Sequence, residues 1–394
     1  MTDRQTVSQS LKSRAISAIQ AIRVKEIKKR KKSSVLSRLS KSSIRISPIE
    51  DLHFENTGEY VFLREHKRNW HLFSIEGKNT INKQYDLMIG VPVYNGEEYI
   101  ESCINSLLSQ KTEYSYEIVI VDDGSTDRTS GILENYKRLN HVRVIRQENH
   151  GLSSARNQVL KDITGRYVFF IDADDELKDN AIQVLLKTAF DNDADIVEGS
   201  YIRFNNQGEF DAHIHNNDNS IVNQEISLFG FAWGKAIRAE LFESIVFPDG
   251  YIYEDSIFAY CIHPLSSTKF TLSDICSKYR YNTEGICVTA NKSDVSIDTF
   301  FVSFFLWRYY INHFQLSKRF FETFVGQSIL NYYRTKSLDD DVQKAAFALT
   351  QKIYVTIFRE PLVTDNKHTI FDKCMRYGSF EVFCDLVSVW DEWE

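Results

Sequence analysis

The sequence predicts an α/β protein in which a mainly parallel sheet is flanked by helices, with a basic N-terminal extension before it and a helical C-terminal region after it. Three observations carry that prediction. Short apolar runs of strand type alternate with segments of helical periodicity across residues 86–295. Loops rich in Asp and Gly follow successive strand segments. Charge is segregated: residues 1–50 hold 13 Lys/Arg against 3 Asp/Glu, and the remainder holds 34 against 51.

Leu87–Val91 reads as a buried strand. Ile100, Cys103, Ile104, Leu107 and Leu108 then recur at helical spacing, with Asn95 placed to cap that helix and Glu97 and Glu98 near its positive end. Glu117–Val121 is a second strand, Thr126–Leu139 a helix and Val142–Ile145 a third strand. Leu152, Ala155, Val159 and Leu160 mark the next helix, and Tyr167–Ile171 the next strand. Asn180–Ala189 is helical, with Ile182, Leu185 and Leu186 on one face, and Asp195–Phe204 is extended. Such alternation builds a sheet whose ligands bind beyond the carboxyl ends of the strands. Residues 296–394 are helical and aromatic, opening with Phe300–Trp307, an apolar run too short to span a bilayer and closed by Arg308.

At 394 residues the chain exceeds one compact core, and three parts are expected: 1–85, 86–295 and 296–394. With 43% hydrophobic and 26% charged residues it is globular, which excludes a disordered tail, a collagen or a coiled-coil rod. The start lacks the apolar segment of a secretory signal, so a cytoplasmic location is expected. Six cysteines without CxxC spacing read as reduced, buried thiols. Leu11, Ala15, Ile19 and Ile22 at helical spacing, followed by Lys28–Lys32, are open to two readings. Either residues 1–45 lie on the anionic inner face of a membrane, or they form a solvated arm. The acidic remainder argues against nucleic acid as a partner.

Three strand ends carry polar sets: Val91-Pro92-Val93-Tyr94-Asn95-Gly96, Val121-Asp122-Asp123-Gly124-Ser125 and Asp172-Ala173-Asp174-Asp175. Local turn chemistry explains any one of them; it does not explain why all three meet on one sheet edge. Asp172 and Asp174, two residues apart in an extended chain, point to one side and repel one another unless a cation compensates. Hard carboxylate oxygens suit Mg²⁺ or Mn²⁺ bridging a bound diphosphate. An EF-hand fails, because Leu177 stands where Gly is needed and Gln183 where Glu is needed. Neither GxGxxG nor GxxxxGK[ST] is present, so a nucleotide would be held another way: Pro92 and Tyr94 offer flat apolar surfaces and Asp123 can accept an N–H from a base. In Asn149–Asn157, the turn at Asn149 and Gly151 and the cation Arg156 suit an anion or a base, although a solvated Arg is the plainer alternative. Glu254 and Asp255 follow a turn and form either an ordinary surface pair or a general base for an attacking hydroxyl. Trp233 and Lys235 offer a stacking face and a cation, or a core Trp with its neighbour.

In this order and at these separations the motifs resemble the family 2 glycosyltransferases of bacterial surface polysaccharide and glycoprotein synthesis, which have the GT-A fold. The resemblance covers about 87–290 and extends to Trp233-Gly234-Lys235 and Tyr253-Glu254-Asp255, with Gly234 where the family more often has Asn. It implies an inverting transfer from a UDP-sugar to a glycan, lipid-linked or protein-linked acceptor, with Mn²⁺ or Mg²⁺ as cofactor. Pro92, Tyr94, Asp122, Asp123, Asn149, Gly151, Arg156 and Asp172 would bind the nucleotide sugar, with Asp123 on uracil. Asp174 would ligate the metal, with Asp172 on the ribose or the metal's water shell. Asp255 would be the catalytic base, supported by Glu254, and Trp233 and Lys235 would face the acceptor. A sugar-nucleotide nucleotidyltransferase is the alternative enzyme, but it needs a Gly-rich, cation-bearing loop after the first strand, which Tyr94–Glu98 is not. A non-catalytic module recruited by the basic arm is the other alternative.

Overall fold

The computed structural model describes residues 24–25, 27–40, 46–49, 52–215, 228–282, 285, 289–290, 293–360 and 365–393. Two compact units form, one of Lys67–Thr323 and one drawn from Met1–His66 and Phe324–Glu394. Compactness thus draws its boundaries elsewhere than composition does. The segment just before the first strand belongs with the sheet: Asn79 donates to the Phe242 and Ile245 carbonyls, and Gly77 N–H to Ser244.

The larger unit is a mixed α/β layer structure. Its strands are β1 (Thr80–Val93), β2 (Tyr116–Asp122), β3 (Val142–Arg146), β4 (Asp162–Phe170), β5 (Glu176–Leu177), β6 (Ile196–Asn205), β7 (Gly208–His213), β8 (Lys235–Arg238) and β9 (Lys269–Arg280). They form one sheet in the order β3-β2-β1-β4-β8-β6-β9-β5, with β7 on β6. The β3-β2-β1-β4 block is parallel, β6 pairs parallel with β9, and β8 joins the two blocks antiparallel. Helices α1 (Ile100–Leu108), α2 (Thr129–Leu133), α3 (Leu152–Leu160) and α4 (Ala181–Asp191) connect them. The α/β class expected from the alternation is therefore the class observed.

Alternation of side chains along β1 explains the two faces. Leu87, Ile89, Val91 and Val93 pack with Ile118 and Ile120 beneath α1 (Ile100, Cys103, Ile104, Leu107) and α4 (Ile182, Leu185, Leu186). Each such side chain, fully buried, stabilises by roughly 1.5–3 kcal/mol. On the other face α3 lies close over Gly90, where an added Cβ would sit 2.7 Å from Val159 Cγ1 and 2.9 Å from the Phe170 ring.

Two local expectations change. The helix expected over 126–139 is confined to Thr129–Leu133, after which i→i+3 bonds such as Asn135 N–H to Ile132 and Tyr136 N–H to Leu133 carry a chain of turns. Gly131 in its middle lowers helix propensity by about 1 kcal/mol. Asn95 does not cap α1, whose N-cap is Tyr99. Its φ is +51°, and its Oδ1 accepts from Thr126 N–H at 2.8 Å, so it links two loops instead.

In the smaller unit, helices Asp340–Ile357, Asn366–Tyr377 and Phe380–Ser388 pack through Phe347, Tyr354, Phe371 and Phe383. Tyr354 Oη and Arg376 Nε both donate to Asp372 Oδ1, at 2.7 and 2.8 Å. Leu11, Ala15, Ile19 and Ile22 lie outside the described residues. The helix over 27–40 buries Val35 and Leu39 and spends part of the basic run on acids of its own unit. Lys28 pairs with Glu392 at 2.5 Å, Arg38 with Asp385, and Lys32 lies over the Trp393 ring. Among the described residues no helix is long and apolar enough to cross a membrane.

Gly90→Ala overpacks the α3–β1 contact, and a loss of about 1–3 kcal/mol is expected. Thermal or urea denaturation of the variant checks this; an unchanged midpoint would show that the helix shifts at no cost.

Candidate active site

The strand register sets the stage. Val93 is level with Asp122, and Asp122 with Arg146, so β1, β2 and β3 end flush. Phe170 at the end of β4 lies opposite Gly90. The loops that follow leave one edge together and bond to one another: Asn95 N–H donates to Ser125 Oγ and Gly96 N–H to Thr129 Oγ1, both at 2.9 Å.

Asp122 is buried and shapes its own loop, accepting from Ser125 N–H at 2.9 Å and from the Ser130 hydroxyl. Asp123 reaches across to the loop after β3. Its carboxylate accepts from Gln147 Nε2 (2.7 Å), His150 N–H (2.9 Å) and Gly151 N–H (2.8 Å). Gly124 between these loops has φ +74°, and a Cβ there would lie 2.7 Å from Asn149 N, so only glycine lets the two backbones approach. Gly151, at φ +89°, starts α3 with open space at its Cβ position. Tyr94 is 51% exposed, whereas Pro92 is buried in β1; of the two expected flat surfaces, Tyr94 is the one turned to solvent.

Arg156 on α3 is 3% exposed, not a solvated cation. Its Nη2 donates to Asp172 Oδ1 at 2.8 Å and its Nη1 to Glu254, and the guanidinium lies over Phe247. Burial alone would lower its pKa, but Glu254 and Asp172 outweigh this and raise it. A buried charge needs such partners, and losing one of them strands the others. Burial raises the Glu254 carboxyl, with Arg156 opposing and Asp255 adding to the rise. The guanidinium expected near an anion therefore has both terminal nitrogens on carboxylates, and it joins the β4 exit to the Glu254–Asp255 loop.

Residues 172–175 form a turn, closed by Asp175 N–H donating to the Asp172 carbonyl at 3.0 Å, where an extended chain was expected. Asp174 still feels its neighbour: burial, then the charge of Asp172, push its carboxyl up to about 6. Asp175, fully buried, is pushed well above the usual range by burial and by Asp172 and Asp174. Arg280 braces this turn, its backbone N–H donating to Asp175 Oδ1 at 2.7 Å and its Nε to the Asp174 carbonyl at 2.8 Å. Among the described residues no group of three or more His, Cys, Asp or Glu side chains is arranged to hold a metal. The donor set at Asp172 and Asp174 nonetheless fits Mg²⁺ or Mn²⁺, because such ions take one or two carboxylates and complete their shell with water and substrate phosphates. Mutual repulsion in a half-buried turn is the condition that a cation relieves.

Trp233 lies beside the β4 exit, bridged to Phe170. It stacks between Phe231 (centroids 4.7 Å apart, planes at 4°) and Tyr279 (5.1 Å, 12°). Lys235 is 1% exposed, and its Nζ is 2.5 Å from Glu198 Oε2, so it is an internal ion pair and not a cation turned to solvent. The sequence reading gave no role to Asp175 or Arg280 and did not single out Gln147 or Tyr279. Arg280 meets Asp175 across 105 positions and Gln147 meets Asp123 across 24, separations that no spacing rule connects.

The family model "Glycosyl transferase family 2" matches residues 88–247 and so ends before Glu254 and Asp255. The chain is 36% identical over 207 residues to glycosyltransferase GlyA of Streptococcus pneumoniae, a stretch covering 48% of this chain and 30% of GlyA. It is 30% identical over 221 residues to glycosyltransferase GlyG of the same organism, covering 52% of this chain and 73% of GlyG. The chain thus spans under a third of one relative and almost three quarters of the other. Among solved structures, S. aureus TarS 1–349 in complex with UDP-GlcNAc superposes with a TM-score of 0.58 at 19% identity, over 78% of this chain and 91% of TarS 1–349. That likeness is one of fold, of GT-A type.

Because the folded state holds the Asp174 proton more tightly than the unfolded chain does, ionised Asp174 costs stability. That stability is present below about pH 4 and is lost as pH rises through about 6. Asp174→Asn is expected to raise stability by about 1–3 kcal/mol at pH 8 without divalent cation, with the difference vanishing near pH 4. Melting curves at the two pH values check this, and a gap that does not close on acidification would contradict it.

Proposed function

The chain belongs to glycosyl transferase family 2, and we propose that it transfers a hexose from a UDP-sugar to a hydroxyl of a glycan, glycolipid or glycoprotein acceptor, inverting the anomeric centre. The observation that carries this reading is the Arg156 link, which brings carboxylates from separate loops, Asp172 and Glu254, to one guanidinium at the sheet edge. Asp123 is tied to the same edge through Gly151. A UDP donor is further supported by the fold neighbour TarS, which is described in complex with UDP-GlcNAc and with UDP.

In this mechanism Tyr94 stacks on the uracil and Asp123, held in place by its three donors, accepts the base's N–H. Asn149 and Gly151 line the turn beside it, and Asp172 orients the ribose. Asp174 and Asp172 would hold Mn²⁺ or Mg²⁺, which when bound neutralises charge on the departing diphosphate. Asp255 takes the proton from the acceptor hydroxyl as that oxygen attacks from the face opposite the leaving group, and a single displacement inverts the centre. Glu254 keeps the Arg156 charge compensated and thereby holds the loop in reach. Trp233 is buried with both ring faces covered by Phe231 and Tyr279, so it supports the acceptor side from within the stack and offers no open stacking face.

The experiment is Asp255→Asn in the full chain, assayed for release of the nucleoside diphosphate (UDP or GDP) from a panel of UDP- and GDP-sugars with Mn²⁺. Turnover is expected to fall by about 10²–10⁴-fold while UDP affinity stays within a few-fold. Undiminished turnover would remove Asp255 from the mechanism, and release only from GDP-sugars would overturn the choice of donor.

A peripheral membrane contact is favoured by a second observation. Lys25, Lys29 and Arg30 lie on the exposed side of the basic helix, together with Ile27 (55% exposed) and Leu36 (49%). Cations beside exposed apolar side chains suit an anionic lipid surface, each cation contributing about 1 kcal/mol at low salt. Replacing the three cations with Gln is expected to cut sedimentation with phosphatidylserine vesicles by about tenfold or more at low ionic strength. Equal sedimentation of variant and parent would end this reading.

A further inference from the structure

Glu254 and Asp255 sit beyond residue 247, where the family match ends, and the structure fixes their loop with parts of the chain that flank it. Tyr253, immediately before the pair, has φ +66° and is almost buried. A non-glycine residue in that region costs about 1–3 kcal/mol and persists only where its surroundings over-determine it. Those surroundings can be named. The carboxylate of Asp298, at the start of helix Asp298–His313, accepts from Ile252 N–H through Oδ2 at 3.2 Å. Its Oδ1 is bound by Lys67 Nζ at 2.6 Å, with both side chains at most 5% exposed. The same ammonium lies 4.1 Å from the centre of the Tyr251 ring, and the Tyr251 hydroxyl donates to the His71 carbonyl at 2.7 Å. On the opposite side Ser153 of α3 donates through Oγ to the Tyr251 carbonyl at 2.8 Å. Gly250, at φ +71°, lies so close to His71 that a Cβ would sit 2.3 Å from the imidazole.

Consecutive residues Gly250, Tyr251 and Ile252 are therefore gripped just ahead of the strained Tyr253. A buried ion pair is weak evidence for stability, since apolar residues of the same volume serve the fold as well or better. What this one adds is an acceptor aimed at a single backbone N–H, two residues before Glu254. We infer that Lys67 and Asp298 are positioning residues that set the backbone of 251–253 and thereby aim Asp255 at the acceptor hydroxyl, an inference that rests on Asp255 being the base. Lys67 holds Asp298, Asp298 holds Ile252, and neither touches the reacting atoms. A displacement of about 1 Å in a catalytic group lowers a rate by about 10²-fold, which is the scale to expect.

The test uses the full chain with Asp298→Asn, Lys67→Met and Lys67→Arg, alongside Asp255→Asn. Three quantities are read: kcat for UDP release from the best UDP-hexose of the panel, UDP affinity with Mn²⁺ by calorimetry, and amide exchange at 251–255. Asp298→Asn and Lys67→Met are expected to lower kcat about 10–100-fold, with UDP affinity within about twofold. Exchange should quicken at 251–255 and stay unchanged in β1 and β2. Lys67→Arg, which keeps the pair, should recover most of kcat. If Asp298→Asn does not fold, Lys67→Met carries the same measurements. Parental kcat and parental exchange in the folded variants would overturn the inference, as would loss of kcat matched by equal loss of UDP affinity. Should Asp255→Asn alone collapse turnover, only the positioning role falls. Should Asp255→Asn keep full turnover, the base assignment falls, and the exchange data still report whether the pair grips the loop.

Discussion

A single buried guanidinium organises the candidate site. Arg156 cannot remain charged inside the protein without compensation, and the compensation comes from Asp172 and Glu254, which stand 16 and 98 positions away in the chain. The buried Glu254 carboxylate is in turn compensated by the guanidinium, while Asp172 is partly exposed to solvent. The mutual requirement fastens the β4 exit to the loop carrying Asp255. It ties two loops that are remote in the chain into one wall of acidic side chains.

Around that link the site combines order with electrostatic tension. Asp123 is held by three donors from the neighbouring loop, only one of them on Oδ2, and Asp122 by donors from its own, so their positions are set before any ligand arrives. Asp174 and Asp175 are different: burial and like charge raise both carboxyls, and Arg280 supports their turn through backbone bonds. A fold optimised only for stability would not gather acids in that way. Stored repulsion of this kind is relieved by a cation, which is why the proposed donor site is placed here.

The parallel block explains why such a site forms at all. Strands β1, β2 and β3 end level with one another, so every loop after them emerges at one edge. Close approach of those loops then depends on single backbone details: Gly124 where a β-carbon would strike Asn149, and Asn95 in a left-handed conformation bonding Thr126. The elements flanking the family core complete the arrangement, because His71 bonds the Asp249 carbonyl, Asp298 bonds Ile252 N–H and Lys67 holds Asp298.

Local pattern made much of this legible. Strands around Ile89, Ile118 and Phe169 and the helices of Cys103 and Leu185 follow from side-chain periodicity, which depends on neighbours a few residues away. Periodicity also set which loops carry Asp122, Asp123, Asp172 and Asp174 to the functional edge. It misjudged Asn95 as a cap and 172–174 as extended, because a side chain that bonds across loops is indistinguishable in sequence from one that bonds within its own. Arg156 read as a cation for an anion or a base, or as a solvated one, and Lys235 as a cation facing the acceptor, for the same reason. Which charge meets which is decided by chain closure over long separations, 98 positions for Arg156 and Glu254 and 231 for Lys67 and Asp298. Local residue pattern specifies the alternating elements, the acidic loops and the family they signal. The pairings emerge only on folding, since burial and the need to neutralise buried charge act between residues that no local rule relates.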